Sequence, residues 1–557
     1  MPHSKSAEFV FLPLGGVGEI GMNLALYGYG PADNREWIVV DMGVSFAGPE
    51  LPGVDLVLPD IRFLEAERRN LKGIIITHAH EDHYGALLDL WPRLKVPVYA
   101  SPFAAGLLEA KRRGEHNAPE IPVTIYRAGD TFSVGSFEIE AIAVTHSIPE
   151  PVSLAITTPL GTVIHTGDWK SDPEPSLGPL LDEDRFRELG DKGVLALICD
   201  STNAMRDGDS PSERQVGESL RELIENARGR VAITTFASNV GRIRSISEAA
   251  RDAGRQVLVL GRSLKRAIEV ASELGYMDGL PEFLTEEDYG FIPRENVVII
   301  LTGSQGESRA ALAKLARDEM RNVALAPGDT VIYSSRTIPG NEKAIIETRN
   351  LLIEQGIKII TDSDALVHVS GHPRRNELKR MYSWVRPQIL VPVHGEAAHL
   401  VAQGSLGAMA GIPEVAQVRN GDMLRLAPGL AEIIDEAPFG RVFKDGKLIG
   451  DEEEMGIADR RKLSFVGHVA VSVLVDGSYN IVGDPDLVQI GLPEADATGD
   501  LMEDILFDAA VAAIENIPRA RRRDLEVLRE AVRRAVRAAA NEAWGKKPVV
   551  TVFLAKV

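Results

Sequence analysis

The sequence predicts an α/β protein whose first domain is interrupted by a second and completed after it, with a small α+β domain at the end. Three changes of texture carry this reading. Residues 9–200 alternate short β-rich runs with glycine turns, and residues 210–360 alternate helical stretches with parallel-type strands. Residues 361–435 return to the strand–turn texture and bring two more histidine motifs. We divide the chain at 1–209 and 361–440 for the interrupted domain and 210–360 for the insert. A polar linker at 441–461, around Asp451-Glu452-Glu453-Glu454, leads to the last domain at 462–557.

In the first part, Trp37-Ile38-Val39-Val40-Asp41, Gly73-Ile74-Ile75-Ile76-Thr77-His78 and Thr162-Val163-Ile164-His165-Thr166-Gly167-Asp168 each read as a buried strand ending in a polar residue at a loop. Strand ends that deliver polar groups to one edge of a sheet suit a catalytic site. In the insert, Glu213–Ala227 and Val240–Ala253 read as helices, and Gln256–Leu260 and Asn296–Leu301 as buried parallel strands. In the last domain, Val466–Val475 and Val549–Leu554 read as strands with helices between them.

A chain of 557 residues is too long for one core and fits about three or four domains. Its hydrophobic share of 44% and charged share of 25% are those of an ordinary globular protein. The lone cysteine, Cys199, lies in the apolar run Leu195–Cys199, so an intrachain disulfide and a thiolate metal cluster are both excluded. No leader precedes the strand-like Phe9-Val10-Phe11-Leu12, and no apolar run approaches the roughly 20 residues that span a bilayer. The expected location is the cytoplasm. The formal net charge of −20 argues against a surface that coats nucleic acid. It leaves a nuclease open, because bound divalent ions invert the local field.

Gly16-Val17-Gly18-Glu19-Ile20-Gly21 matches a dinucleotide fingerprint, with Asp41 in the place of its acidic residue. That fingerprint needs a helix after the glycines. Asn23–Tyr29 reads instead as a strand, so a glycine turn between strands is expected.

Thr77-His78-Ala79-His80-Glu81-Asp82-His83 carries the chemistry. Isolated histidines usually mean nothing, but His78, His80, Asp82 and His83 crowd together directly after a strand. Neutral imidazole and carboxylate are the natural ligands of zinc or manganese. His146 follows Ile142–Thr145, Asp168 follows the strand through His165, and His394 follows Ile389–Val393. Together they offer ligands for two ions, an arrangement that serves phosphodiester hydrolysis.

The run from His78 to His83 resembles the metallo-β-lactamase signature, and the fold it implies is an αββα sandwich. The resemblance implies that His78, His80 and His146 hold one ion, that Asp82, His83 and His394 hold the second, and that Asp168 bridges them. It further implies that a hydroxide between the ions attacks phosphorus. Asp200-Ser201-Thr202-Asn203, Val369-Ser370-Gly371-His372 and Val393-His394-Gly395-Glu396 are similar to the three motifs of the β-CASP nucleases, and a histidine at the third goes with RNA-processing members. Thr235–Asn239, Leu301–Glu307, Ser334–Glu342 and His368–Pro373 narrow the resemblance to the bacterial ribonuclease J branch. It covers nearly the whole chain, with motif content weakest at the C-terminus. At Gly241 the family pattern leads one to expect a larger side chain.

This resemblance implies a metal-dependent ribonuclease for RNA maturation and decay, with 5′→3′ exonuclease and endonuclease activity. His372 reads either as a general acid for the leaving 3′ oxygen or a group that stabilises charge on the transferring phosphate, or else as a core histidine held by Ser370. Asp200 is expected to orient a metal ligand rather than bind metal itself. The loop His368-Val369-Ser370-Gly371-His372 is expected to hold the 5′-monophosphate end of single-stranded RNA through hydroxyl, backbone and imidazole donors. Zinc or manganese both fit the ligands. A small-molecule hydrolase of the same fold and a non-catalytic RNA-binding scaffold of a degradation complex are the alternatives. The arginine-rich stretch Arg519–Arg537 reads as helical, either as a solvated face or as part of an assembly domain. The resemblance implies a homodimer or homotetramer, with other RNA-degradation proteins as further partners.

Overall fold

Two mixed sheets face each other across the first core in the computed structural model, which describes residues 6–338, 340–518 and 521–557. Pro339 of the Ser334–Glu342 segment and Arg519 of the arginine-rich stretch lie outside the described residues, as do residues 1–5 and Ala520.

The first sheet runs in the order Glu432–Glu436, Asp422–Ala427, Glu8–Gly15, Leu24–Gly30, Glu36–Val40, Leu71–Ile75, Val98–Ala100 and Val123–Ile125. The second runs Glu414–Val415, Ile389–Val393, Ala196–Asp200, Gly161–His165, Val152–Thr158, Phe137–Ala143 and Thr131–Val134. Strand side chains alternate between faces. Phe9, Phe11, Tyr27, Ile38 and Val40 therefore meet Ile139, Leu154, Ile156, Val163, Ile198 and Val391 between the sheets. The alternate residues Ile142, Ile164, Leu197 and Leu390 face outward and are covered by Phe186 and Leu189 of the helix Glu183–Lys192, and by Leu378, Met381 and Trp384 of the helix Arg375–Val385. Helices outside two stacked sheets make the αββα sandwich.

The insert is a five-stranded parallel sheet in the order Gln256–Leu260, Val297–Leu301, Val231–Thr234, Thr330–Tyr333 and Lys358–Ile360. Its strands are continuous apolar runs because helices cover both faces of such a sheet. Ser212 begins the helix Glu213–Asn226 with a reciprocal capping box to Gln215, and Asn239 caps the helix Val240–Asp252. Arg242 is fully buried. It donates to Glu213, to Ser334 Oγ at 2.7 Å and to the Val367 carbonyl at 3.0 Å. A buried guanidinium is tolerated only when its donors are used in this way.

Contacts separate residues 1–45 and 58–441 from a second unit of residues 46–57 and 442–557. The interval 441–461, read from sequence as a linker, contains the strands Arg441–Asp445 and Leu448–Gly450 and the start of the helix Ile457–Val466. Asp451 accepts the N–H groups of Glu453 and Glu454, so the acidic run is a turn that leads into this helix. In the last domain His468–Val475 pairs antiparallel with Asp486–Ile490 and parallel with Val549–Lys556. The helices Met502–Glu515 and Leu525–Trp544 cover one face through Leu506, Ile514, Leu528 and Val532. The arginine-rich helix starts later than its periodicity predicts. Asp524 caps it, and Arg522 turns back to the carbonyls of Glu515 and Ile517 at the end of the preceding helix.

Candidate metal centre

The strands Phe137–Ala143, Gly161–His165, Ala196–Asp200 and Ile389–Val393 run parallel to one another, either as direct neighbours or across one antiparallel strand. Their carboxyl ends therefore open on one edge, where the loops carry His146, Asp168, Asp200 and His394. From the facing sheet, Leu71–Ile75 feeds the loop of His78 and His80 and the short helix Glu81–Tyr84 that carries Asp82 and His83. The structure brings the candidate ligands together in two overlapping groups: His78, His80, His146 and Asp168, and Asp82, His83, Asp168 and His394. Within each group the ligand atoms lie within 4.8 Å of one another, and Asp168 is in both. A third group joins Asp168, Asp200, His372 and His394.

Hydrogen bonds behind the rings decide what the rings present to the centre. His83 Nδ1 donates to Asp41 Oδ2 at 2.7 Å, and His146 Nδ1 donates to the Gly371 carbonyl at 2.6 Å. The Thr77 hydroxyl gives its proton to Asp41, 2.8 Å away, so it accepts from His78 Nδ1 at 3.0 Å. In its neutral form each of these rings then offers an unprotonated Nε2. The Nε2 atoms of His78 and His146 both face His80 Nδ1 at 3.1 Å, and His83 Nε2 faces Asp168 Oδ2 at 3.2 Å. One proton on His80 satisfies only one of its two neighbours, whereas a cation satisfies all of these lone pairs. The donor set fits divalent ions.

Burial, reinforced by the facing imidazoles, holds His78 and His146 well below the usual histidine range. Burial brings His80 to about 4. Burial works in the same direction on His83 and His394, but the carboxylates around them overcome it. His83 is raised by Asp168, Asp82 and Asp41, and His394 is raised to about 10, chiefly by Asp168. Asp168 itself stays well below the carboxylate range despite burial, because His394 and His83 favour its charged form.

Two backbone features serve this geometry. Asp41 and His394 are non-glycine residues with φ of 65° and 52°. Such conformations cost about 1–3 kcal/mol each and persist where the surroundings enforce them. His394 N–H donates to the Gly16 carbonyl at 2.7 Å, and Val17 and Glu19 bridge to Gly395. The glycine-rich loop of the apparent nucleotide fingerprint thus supports the His394 turn, and the strand Leu24–Gly30 follows it in place of a helix. At Gly371 a side chain would collide with the His146 imidazole and the Ser147 hydroxyl.

His372 and Asp200 form a second pair beside the ligands. His372 Nδ1 donates to Asp200 Oδ2 at 2.8 Å, and the His372 and His394 rings stack at 5.4 Å. Burial disfavours charge on His372, yet Asp200 and Asp168 hold it above the usual histidine range. Asp200 stays ionised against its own burial through His372. Ser370 Oγ accepts from Asn203 Nδ2 at 2.9 Å and the His372 N–H at 3.4 Å. Val369 is buried. His368 lies deeper in the loop; burial and then Arg242 bring it to about 3, and its Nδ1 has no hydrogen-bond partner. Beside His146, a cavity lined by Arg127, Glu150, Leu177 and Tyr276 lies between the sandwich and the insert. Gly241, the departure from the family pattern, packs on Ser176, whose hydroxyl leaves a Cβ only 2.9 Å of room.

Sequence reasoning missed Asp41 as a functional residue. It read Asp41 as a polar strand end and as part of a false nucleotide motif, not as a partner of the histidines, yet Asp41 fixes the tautomer of His83 directly and that of His78 through Thr77. Its signal was there, in a strand that ends in a carboxylate beside the histidine strand. Cys199 is buried and its thiol is pushed up to about 12 by burial and Asp200, as an inert core thiol should be.

The fold and this edge define a metallo-hydrolase of the metallo-β-lactamase superfamily with a β-CASP insert. The model of a beta-lactamase superfamily domain matches residues 36–183, and that of the Zn-dependent metallo-hydrolase RNA specificity domain matches 356–413. The models of the ribonuclease J beta-CASP domain and C-terminal domain match 228–352 and 455–557. The chain is 69% identical to ribonuclease J of Sinorhizobium meliloti, covering 100% of this chain and 98% of that one. It is 38% identical to ribonuclease J of Mycolicibacterium smegmatis, covering 96% and 95%. A solved protein of unknown function from Enterococcus faecalis shares the fold, with a TM-score of 0.52 and 16% identity over 75% of this chain and 100% of that one. The chain belongs to the ribonuclease J family. It is a divalent-metal hydrolase whose substrate is RNA. No helix among the described residues is long and apolar enough to cross a membrane.

Proposed function

We propose that this protein degrades single-stranded RNA from a 5′-monophosphate end in the 5′→3′ direction, cuts internally as well, and acts in RNA maturation and decay in the cytoplasm. The observation that carries this is the His372–Asp200 pair set against two ligand groups that share Asp168. His78, His80 and His146 would hold one ion, Asp82, His83 and His394 the other, and Asp168 both; we expect zinc, with manganese as the substitute. When bound, such ions supply Lewis-acid activation of water and neutralise charge on the scissile phosphate.

The chain's own groups do the rest. Asp41, Thr77 and the Gly371 carbonyl keep His83, His78 and His146 in the ligating tautomer. With Nδ1 engaged by Asp200, His372 has Nε2 left to give a proton to the 3′ oxygen as water oxygen bonds to phosphorus and the P–O3′ bond breaks. Ser370 Oγ already accepts two hydrogen bonds, so its own proton is available to a terminal phosphate. Val369 anchors the loop, Gly371 brings it against His146, and His368, kept neutral, contributes at most an N–H. A 5′-triphosphate overfills such a loop, and a 5′-hydroxyl leaves its donors unpaired at about 1–3 kcal/mol each.

The test is digestion of end-labelled RNAs that differ only at the 5′ end. The monophosphate should be consumed fastest, and Ser370→Ala should shrink that preference while sparing internal cleavage. Equal exonucleolytic rates on monophosphate, triphosphate and hydroxyl ends would remove the sensing role. We further propose a homodimer or homotetramer, alone or with other RNA-degradation proteins. Light scattering should show an assembly that weakens when residues 462–557 are deleted.

A further inference from the structure

Glu377 lies outside every motif that pointed to this site, in the first turn of the helix Arg375–Val385, and is fully buried. Its carboxylate accepts four hydrogen bonds from three different loops. Ser171 N–H reaches Oε1 at 2.8 Å. Ser210 N–H, Ser210 Oγ and Arg374 N–H reach Oε2 at 3.0, 2.8 and 2.9 Å.

Each of those loops carries a group of the centre. Ser171 stands three residues after Asp168. Next to it, Lys170 exchanges hydrogen bonds with Thr145, the residue before His146: its N–H donates to the Thr145 carbonyl and its carbonyl accepts from Thr145 Oγ1, both at 2.7 Å. Ser210 closes the segment that begins at Asp200, and within that segment Asn203 donates to the His372 carbonyl at 3.1 Å. Arg374 is two residues from His372. A carboxylate can accept this many donors because it has two oxygens with about four lone-pair sites, and the helix N-terminus favours its charge. The same hydrogen bonds cap the helix, which is the plain structural role. What a cap alone leaves unexplained is that three of the four donors come from the Asp168 and Asp200 loops.

We propose that Glu377 is a positioning residue for the hydrolysis, holding His372 and its partner Asp200 in place. The proposal rests on the reading of His372 as the acid for the leaving 3′ oxygen. Glu377→Gln is nearly isosteric but turns one acceptor oxygen into an N–H donor, which must then face the Ser171 N–H or the Ser210 and Arg374 pair. A displacement on the scale of 1 Å costs about a hundredfold in rate. On 5′-monophosphate RNA we expect kcat to fall by about ten- to a hundredfold, with KM within about twofold and metal content at the wild-type level.

The distinguishing readout is a substrate with sulfur in place of the bridging 3′ oxygen, a leaving group that needs no proton. The Glu377→Gln deficit should shrink to within about threefold on it, as should that of His372→Ala. If the His372→Ala deficit shrinks and the Glu377→Gln deficit does not, Glu377 is a helix cap and the proposal is wrong. If neither shrinks, the acid reading of His372 fails. Glu377 is then judged by the imidazole resonances of His372, which should lose the signature of the Asp200 hydrogen bond in Glu377→Gln and which a cap alone would leave unchanged. Should Glu377→Gln not fold, Ser210→Ala removes one hydroxyl donor, keeps the helix cap and should move the same ratio in the same direction by a few-fold. An unmoved ratio in a folded Ser210→Ala protein also overturns the proposal.

Discussion

The edge of the sandwich and the outer face of the helix Leu525–Trp544 are both dense in charge, and they use it in opposite ways. At the edge, His78, His83, His146, Asp168 and His394 are buried, and the polar atoms behind the rings have assigned partners. On the helix, Arg529, Arg533 and Arg534 pair with Glu526 and Glu530 one turn away, and all of these side chains are more than a third exposed. Charge taken out of water is costly unless it is fully compensated, so a buried cluster persists only where the surrounding fold or a ligand compensates it. Charge left in water costs little and contributes little. The expected effects of substitution track this divide.

The largest effect should be at the candidate ligands. Asp82→Ala and His80→Ala should each reduce RNA cleavage by about a thousandfold or more, since they remove a group whose role in the transition state is worth several kcal/mol. Circular dichroism should remain that of the folded protein, because neither side chain is part of the apolar core. Chelation should abolish cleavage of the unaltered protein, and zinc or manganese should restore it. Full activity in either variant would break the contrast at its strongest point.

Next comes the pair beside the ligands. His372→Ala should lower kcat by about 10²–10⁴ while metal content, measured by elemental analysis, stays near two ions per chain. Asp200→Asn should fall in the same range if orientation of His372 is its role. A loss of metal in His372→Ala would instead make His372 a ligand of the third convergent group.

Gly371→Ala should have a smaller effect. Its added methyl meets His146 and Ser147, so the loop or the imidazole must shift. The hydrogen bond from His146 to the Gly371 carbonyl is the part at risk, and such outer contacts typically matter by about 10–100-fold in metal affinity or activity. Titration of the metal-free variant with zinc measures this, and unchanged affinity would show that the contact is ordinary packing.

These expectations also mark what was legible in the sequence. The seven candidate ligands were legible because each follows an apolar strand, and four of them fall within the run from His78 to His83. The insert was legible from the switch between helical and strand periodicity, and the structure starts the helix at Glu213 and the strand at Gln256 where that periodicity puts them. Asp41 was legible as a strand-end carboxylate but not in its role, because its link to Thr77 and His83 crosses two neighbouring strands and depends on a left-handed backbone. Glu377 was hidden for the opposite reason: a glutamate in a first helical turn has an ordinary local explanation. The interval 441–461 misled because its acidic run resembles a linker in composition, while the hairpin and helix around it depend on tertiary packing.

The smallest effect should come from Arg534→Ala, and it is informative because of its size. Arg534 pairs with Glu530 four residues earlier at 2.6 Å, and 78% of its side chain is exposed. Glu530 also binds Arg533, so one partner survives the substitution. Water and salt screen such pairs, and holding two long side chains in place offsets much of the attraction. The midpoint of thermal unfolding should therefore move by less than about 2 °C, and by still less in high salt. RNA cleavage should be unchanged, since Arg534 is in none of the candidate ligand groups. A larger shift that depends on protein concentration would mean that this face is covered in an assembled form. The arginines would then belong to a subunit interface, and the line between buried and solvated charge would have to be redrawn through the last domain.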